Sequence, residues 1–176
     1  MNSIYFTKFK GPLSVVDIPV PSPTNEGVVI KVEATGLCRS DWHAWMGHDS
    51  DIVLPHVPGH EFAGVISEIG KQVTKFKVGD RVTVPFVCGC GKCQYCLRGD
   101  AQVCPTQTQP GFTGFGSFAE YVAIKRALRV AVSEARAEGI RGQRYENYDM
   151  AMFYDEETAK LVSLIEKLDS QVLSNG

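Results

Sequence analysis

The chain has 176 residues, 44% of them hydrophobic, and a formal net charge of −2. That is enough apolar material for one domain core. The near-neutral balance offers no basic field for nucleic acid, and no apolar run is long enough to span a bilayer. The start lacks a cationic segment followed by an apolar run, so no export signal is expected. A cytoplasmic setting is expected instead.

In chain order, Ile4, Tyr5 and Phe6 begin a short predicted strand, and Leu13, Val15, Val16 and Ile18 suggest a second. Pro19, Pro21 and Pro23 break it. A β-branched run follows at 28–32, then a helical turn at 41–46. Pro55 and Pro58 frame a loop ahead of a strand at 62–69, in which Gly64 marks a bulge or a close backbone contact. Strands are expected at 81–87 and 118–124. Several short strands with Gly and Pro punctuation predict a mainly β fold with a few helices, a barrel or a sandwich.

The character changes at residue 126. Leu128, Ala131, Val132 and Ala135 fall at helical spacing up to Gly139. Asp155 can cap a final helix in which Leu161, Leu164, Ile165, Leu168 and Val172 form an apolar stripe. That stripe either packs on the core or mediates self-association through 155–173.

Residues 88–104 hold five of the six cysteines. Cys90, Cys93 and Cys96 make two consecutive C-x-x-C steps, and Cys104 returns over a short loop. Four thiols so placed suit a closed tetrahedral zinc site, which braces structure and leaves no open coordination position. Cys88 falls outside the pattern. A second constellation is Cys38, His60 and Glu61. A catalytic zinc takes three protein ligands and keeps one position for substrate. Ser40 and His43 are residue types that can relay a proton. Taken alone, an isolated Cys and His are more often structural.

Four stretches carry a specific resemblance. They are Gly36-Leu37-Cys38-Arg39-Ser40-Asp41-Trp42-His43, Pro58-Gly59-His60-Glu61-Phe62-Ala63-Gly64-Val65, Val78-Gly79-Asp80-Arg81-Val82, and the cysteine lobe followed by Gly116-Ser117-Phe118-Ala119-Glu120-Tyr121. In order and spacing, residues 1–125 resemble the N-terminal, GroES-like part of the zinc-dependent alcohol dehydrogenases, the medium-chain dehydrogenase/reductase family. The resemblance implies a GroES-like β-barrel with a structural-zinc lobe at 88–104, followed here by a helical segment at 126–176. It implies that Cys90, Cys93, Cys96 and Cys104 hold the structural zinc. Cys38 and His60 would be direct ligands of a catalytic zinc, with Glu61 beside it. Ser40 and His43 match the family's proton relay, Phe86 an aromatic wall of the substrate pocket, and Arg39 a position that touches the cofactor pyrophosphate in some members. Trp45 is a further pocket candidate. Trp42, Trp45 and Phe86 can equally be core aromatics, and Arg39 a solvated charge. The implied partner is a small alcohol or aldehyde, the alcohol being oxidised to an aldehyde or ketone with hydride transfer to NAD(P).

The family's doubly wound nucleotide-binding domain needs five or six strand–helix units, and the residues after 125 are too few for it. Gly114-Phe115-Gly116-Ser117-Phe118-Ala119 fits G-x-G-x-x-A, yet no apolar strand precedes it and a strand rather than a helix is expected after it. The family's third catalytic-zinc ligand, Cys or Asp, comes from beyond the matched region. No cysteine follows Cys104, and nothing around Asp149 or Asp155 matches its motif. Substoichiometric metal is therefore expected at Cys38 and His60, and the chain is expected to be inert without a cofactor-binding half.

Overall fold

A computed structural model describes residues 1–125. The helices expected after residue 126, with Asp149, Asp155 and the 155–173 stripe, lie outside the described residues.

Six strands and two short helices are laid out as β1 (Asn2–Tyr5), β2 (Ser14–Asp17), β3 (Val28–Gly36), α1 (Arg39–Met46), β4 (Glu61–Ile69), β5 (Arg81–Thr83), α2 (Gln94–Arg98) and β6 (Tyr121–Ile124). A single 3-10 turn, Ala101–Val103, follows α2. The mainly β expectation holds. β1 and β2 pair antiparallel as one ribbon, and β5-β4-β3-β6 form an antiparallel sheet. The two are tied by a bridge from Ser3 to Ala119 and by Ile4 N–H donating to Phe118 O at 2.7 Å.

β3 is the spine of the sheet because it pairs with β4 on one edge and β6 on the other, and its first three residues, Val28, Val29 and Ile30, are all buried, so both faces are covered there. The main core joins Ile30, Phe62, Ile66, Val82, Val122 and Ile124 around it. The β3–β4 register slips between Val32 and Ala34, leaving Glu33 unopposed as a bulge. Gly64 sits opposite that bulge. A Cβ there would lie 2.0 Å from Lys31 O, so the close contact read from the sequence is real.

Several boundaries differ from expectation, and β3 runs on to Gly36 rather than ending at 32. β5 stops at Thr83 rather than 87, because Pro85 offers no N–H to extend the ladder and Cys88 pairs instead with Thr108. β6 starts at Tyr121, since Phe118 and Ala119 turn toward β1. The turn at 41–46 is the end of a full helix from Arg39.

Candidate active site

The end of β3, the start of α1 and the start of β4 meet at one edge of the sheet. Cys38 precedes α1, and its N–H donates to Asp41 Oδ2 at 2.9 Å, which draws that carboxylate back over the helix start. Asp41 Oδ1 accepts Gly59 N–H at 3.0 Å and faces His60 Nδ1 at 3.1 Å. Asp41 is 1% exposed, so three donors from two chain segments converge on one buried carboxylate. A carboxylate only accepts, so Nδ1 of His60 carries the hydrogen, and in the neutral ring Nε2 is left as the free donor atom. Burial pulls the His60 imidazole down, but the Asp41 carboxylate, with Cys38 beside it, outweighs that and raises it to about 9.

The Cys38 thiol, a His60 ring nitrogen and a Glu61 carboxylate oxygen lie within 4.8 Å of one another. Glu61 Oε1 is 4.0 Å from His60 Nε2, and its side chain is 59% exposed. Thiolate, imidazole and carboxylate are the donor types zinc takes, so the set fits a metal with a solvent-facing side left open. Cys38, Ser40, His60, Glu61 and Phe86 share a cleft of about 800 Å³ with Thr35. Cys38 Sγ–H donates to Ser40 Oγ at 3.7 Å. Phe86 is 42% exposed, lines the cleft and meets His60 edge-on, ring centroids 5.2 Å apart.

Two expected residues lie elsewhere. Trp45 packs in the cluster of Phe6, Ala44, Ile52 and Phe112, and its Nε1–H donates to Gly11 O at 2.9 Å. It stands about 140° round the helix from Ser40, which turns it from the cleft into the core. His43 is exposed, one turn beyond Ser40, and its Nδ1 is 2.9 Å from Nδ1 of His48. Arg39 lays its guanidinium 4.3 Å from the Trp42 ring centroid. Asp41 was missed as a functional residue. The signal was its spacing, an acid three residues into a helix that follows a cysteine.

The lobe is a second candidate centre. The sulfurs of Cys90, Cys93, Cys96 and Cys104 lie within 4.8 Å of one another, and all six cysteines are free. Four ligands at about 2.3 Å from zinc place their sulfurs about 3.8 Å apart in a tetrahedron. Cys93 and Cys104 are 3.8 Å apart. Backbone N–H groups of Lys92 and then Cys93 pull the Cys90 thiol down to about 6, and that of Cys90 lowers Cys104. Partial burial pushes Cys96 up to about 11. Cys88 stays outside this group, buried in the main core, where burial pushes its thiol up to about 11. Gly114 to Ala119 open no helix, only the approach to β6.

The pattern of the alcohol dehydrogenase GroES-like domain matches residues 24–134. The chain belongs to the alcohol dehydrogenase GroES-like domain family. The family match runs past the 1–125 span of the sequence resemblance. "Alcohol dehydrogenase 1" of Caenorhabditis elegans is 38% identical over 126 residues, covering 70% of this chain and 36% of that protein. "D-arabinose 1-dehydrogenase (NADP(+))" of Saccharolobus solfataricus is 40% identical over 120 residues, covering 67% of this chain and 34% of that one. The solved structure of a cobalt- and zinc-bound thermostable alcohol dehydrogenase from Pyrobaculum aerophilum aligns with a TM-score of 0.66 at 32% identity, covering 71% of this chain and 39% of that one. The chain thus spans little more than a third of the relatives it matches. Among the described residues no helix is long and apolar enough to cross a membrane.

Proposed function

We propose that this GroES-like chain is the zinc- and substrate-binding portion of an NAD(P)-linked alcohol oxidoreductase. The observation that carries the reading is the convergence of Cys38, His60 and Glu61 beside Ser40 in one cleft, with Asp41 fixing the His60 ring. Zinc held there would supply Lewis-acid polarisation of an alcohol or carbonyl oxygen, and a nicotinamide would accept the hydride. The chain's own residues do the rest. Asp41 keeps Nε2 of His60 aimed at the cleft. Phe86 gives the substrate carbon an apolar wall. Ser40 accepts the hydroxyl proton of the alcohol and passes it toward His43 at the surface. Arg39 would contact the cofactor's phosphates in this reading. The four lobe thiols hold a second, structural zinc. We place the protein in the cytoplasm, with a small alcohol or aldehyde as substrate.

Turnover would need a nicotinamide-binding half, so the 176 residues alone are inert in this reading. Zinc content per chain, followed by alcohol-dependent NAD(P)H formation with and without a supplied cofactor-binding half, tests it. One tightly held zinc, a second held weakly, and turnover only with the added half are expected. NAD(P)H formation by the chain alone would refute the inertness, and no turnover with the half supplied would refute the enzymatic reading. The closed set of four lobe thiols favours a second reading, a non-catalytic zinc-binding module that self-associates through 155–173. A mass in solution that falls when residues 155–176 are removed would support it.

A further inference from the structure

We infer that His43 and His48 form a single proton-sharing unit, in which His48 fixes the tautomer of His43 and carries the proton outward. Its use in catalysis rests on the dehydrogenase reading above, and its geometry does not. α1 ends in a Schellman turn. Gly47 adopts the left-handed conformation at φ 76°, and its N–H donates to Ala44 O at 3.1 Å. His48 N–H donates to His43 O at 3.0 Å. That second bond reaches back five residues and lays residue 48 over residue 43, where two apolar side chains usually meet. Here two imidazoles meet instead, their Nδ1 atoms 2.9 Å apart and their centroids 5.2 Å apart. The Trp42 ring stands edge-on to both, at 4.9 Å and 5.5 Å, with the Arg39 guanidinium over it. The next acid along, Asp49, accepts Asp51 N–H at 2.9 Å. A Cβ on Gly47 would sit 2.9 Å from the Phe9 ring, so the turn that sets the pair is itself fixed by packing.

A contact between two Nδ1 atoms holds one hydrogen, with one ring donating and the other accepting. In the neutral pair, one ring therefore has a bare Nε2 and the other an Nε2–H. With His43 as the Nδ1–H donor, its Nε2 is the basic atom. A proton arriving there forms the His43 Nε2–H bond. The shared hydrogen then leaves His43 Nδ1 and bonds to His48 Nδ1, and His48 Nε2–H gives its proton to water. One proton enters, one leaves, and no electron moves. His48 is thus a positioning residue for His43, which stands one helical turn outward of Ser40.

Imidazole ¹⁵N NMR on the zinc-loaded 176-residue chain decides the pair, using wild type, His48→Phe and His48→Asn. Phe keeps a ring against Trp42 but has no Nδ1, whereas the Asn amide can still meet His43. Wild type should show scalar coupling between the two Nδ1 atoms and one dominant His43 tautomer. His48→Phe should lose both, and His48→Asn should restore the tautomer. Absent coupling in wild type, or an unchanged His43 tautomer in His48→Phe, overturns the inference. With a cofactor-binding half supplied, His48→Phe should lower kcat about tenfold at constant KM, less than the roughly 10²-fold that losing a proton-transfer group costs. His48→Asn should recover most of that. An unchanged kcat in His48→Phe overturns the pair's part in the reaction. A wild type with no turnover refutes the dehydrogenase reading, and the NMR result still decides the pair.

Discussion

At the scale of single residues, Asp41 holds the candidate active site in shape. It satisfies the Cys38 and Gly59 N–H groups and orients His60, all from a fully buried position. Asparagine has only one acceptor oxygen for these three donors. Asp41→Asn should weaken metal binding at Cys38, His60 and Glu61 by about 10–100-fold, as loss of an outer carboxylate on a ligating histidine does. Cobalt titration read by thiolate-to-metal absorption checks this, and the lobe's affinity should not change. His56 gives a second residue-scale prediction. It is 1% exposed, its Nε2–H donates to Gly111 O at 2.9 Å, and burial lowers its pKa from 6.5. The folded state therefore favours the neutral ring, and the unfolded chain binds the proton first. Its contribution is intact above about pH 6.5 and lost as pH falls below it, at up to about 1.4 kcal/mol per pH unit. His56→Gln, which can still donate to Gly111 O, should flatten that slope in denaturant titrations between pH 7.5 and 5.5. An equal slope in both proteins would exclude His56 as the source.

At the scale of elements, sequence periodicity located the strands but not their ends. Val28, Val29 and Ile30 are consecutive buried residues on a doubly paired strand, and that signal is strong in any sequence. The end of β5 depends on Cys88 finding Thr108 rather than a β4 partner, a contact twenty residues away that no local pattern encodes. The same division holds in the site. Cys38, His60 and the lobe cysteines were legible because ligand chemistry restricts residue type and spacing. The spacing of Asp41 from Cys38 was there to be read, but its partners Gly59 and His60, like the contact of His48 with His43, lie across a loop or turn that only the folded backbone closes. Trp45 failed for a related reason: α1 turns it about 140° from Ser40. Gly64 was legible as a constraint without its partner. Gly64→Ala should drive a Cβ into Lys31 O across the β3–β4 ladder, where a side chain cannot yield as it can at a surface. The expected loss is about 3 kcal/mol or more, the upper end of core overpacking. It would be read as a lower urea midpoint at unchanged slope. An unchanged midpoint would mean the bulge at Glu33 relaxes to admit the methyl group.

At the scale of the whole molecule, the two candidate metal centres stand in different relations to the fold. Cys38, His60 and Glu61 are carried by β3 and β4, which pack through Ile30, Phe62 and Ile66, and by α1, which packs through Ala44 against Phe6, Ile52 and Phe112, and none of this packing needs an ion. The lobe between Cys90 and Cys104 has no such core. α2 buries no residue, Leu97 and Val103 are 63% and 54% exposed, and the segment hangs from the sheet by the paired backbone of Cys88 and Thr108. Internally it is held by short-range backbone hydrogen bonds, such as Leu97 N–H to Cys93 O and Cys104 N–H to Ala101 O, and by N–H donation to sulfur from Cys90, Cys93 and Cys96, around a set of thiols that repel once ionised. A cation bound there would balance them, and its binding would then count as local folding energy. Chelation, or Cys93→Ser, should therefore unfold residues 90–107 while the β3–β4–β6 ladder stays closed. Hydrogen exchange would show it as amide protection lost at Cys93, Cys96 and Leu97 and kept at Ile30 and Ile66. Loss of protection in both regions together would mean that the lobe is part of the same cooperative unit as the sheet, and that the structural ion sustains the active-site scaffold directly.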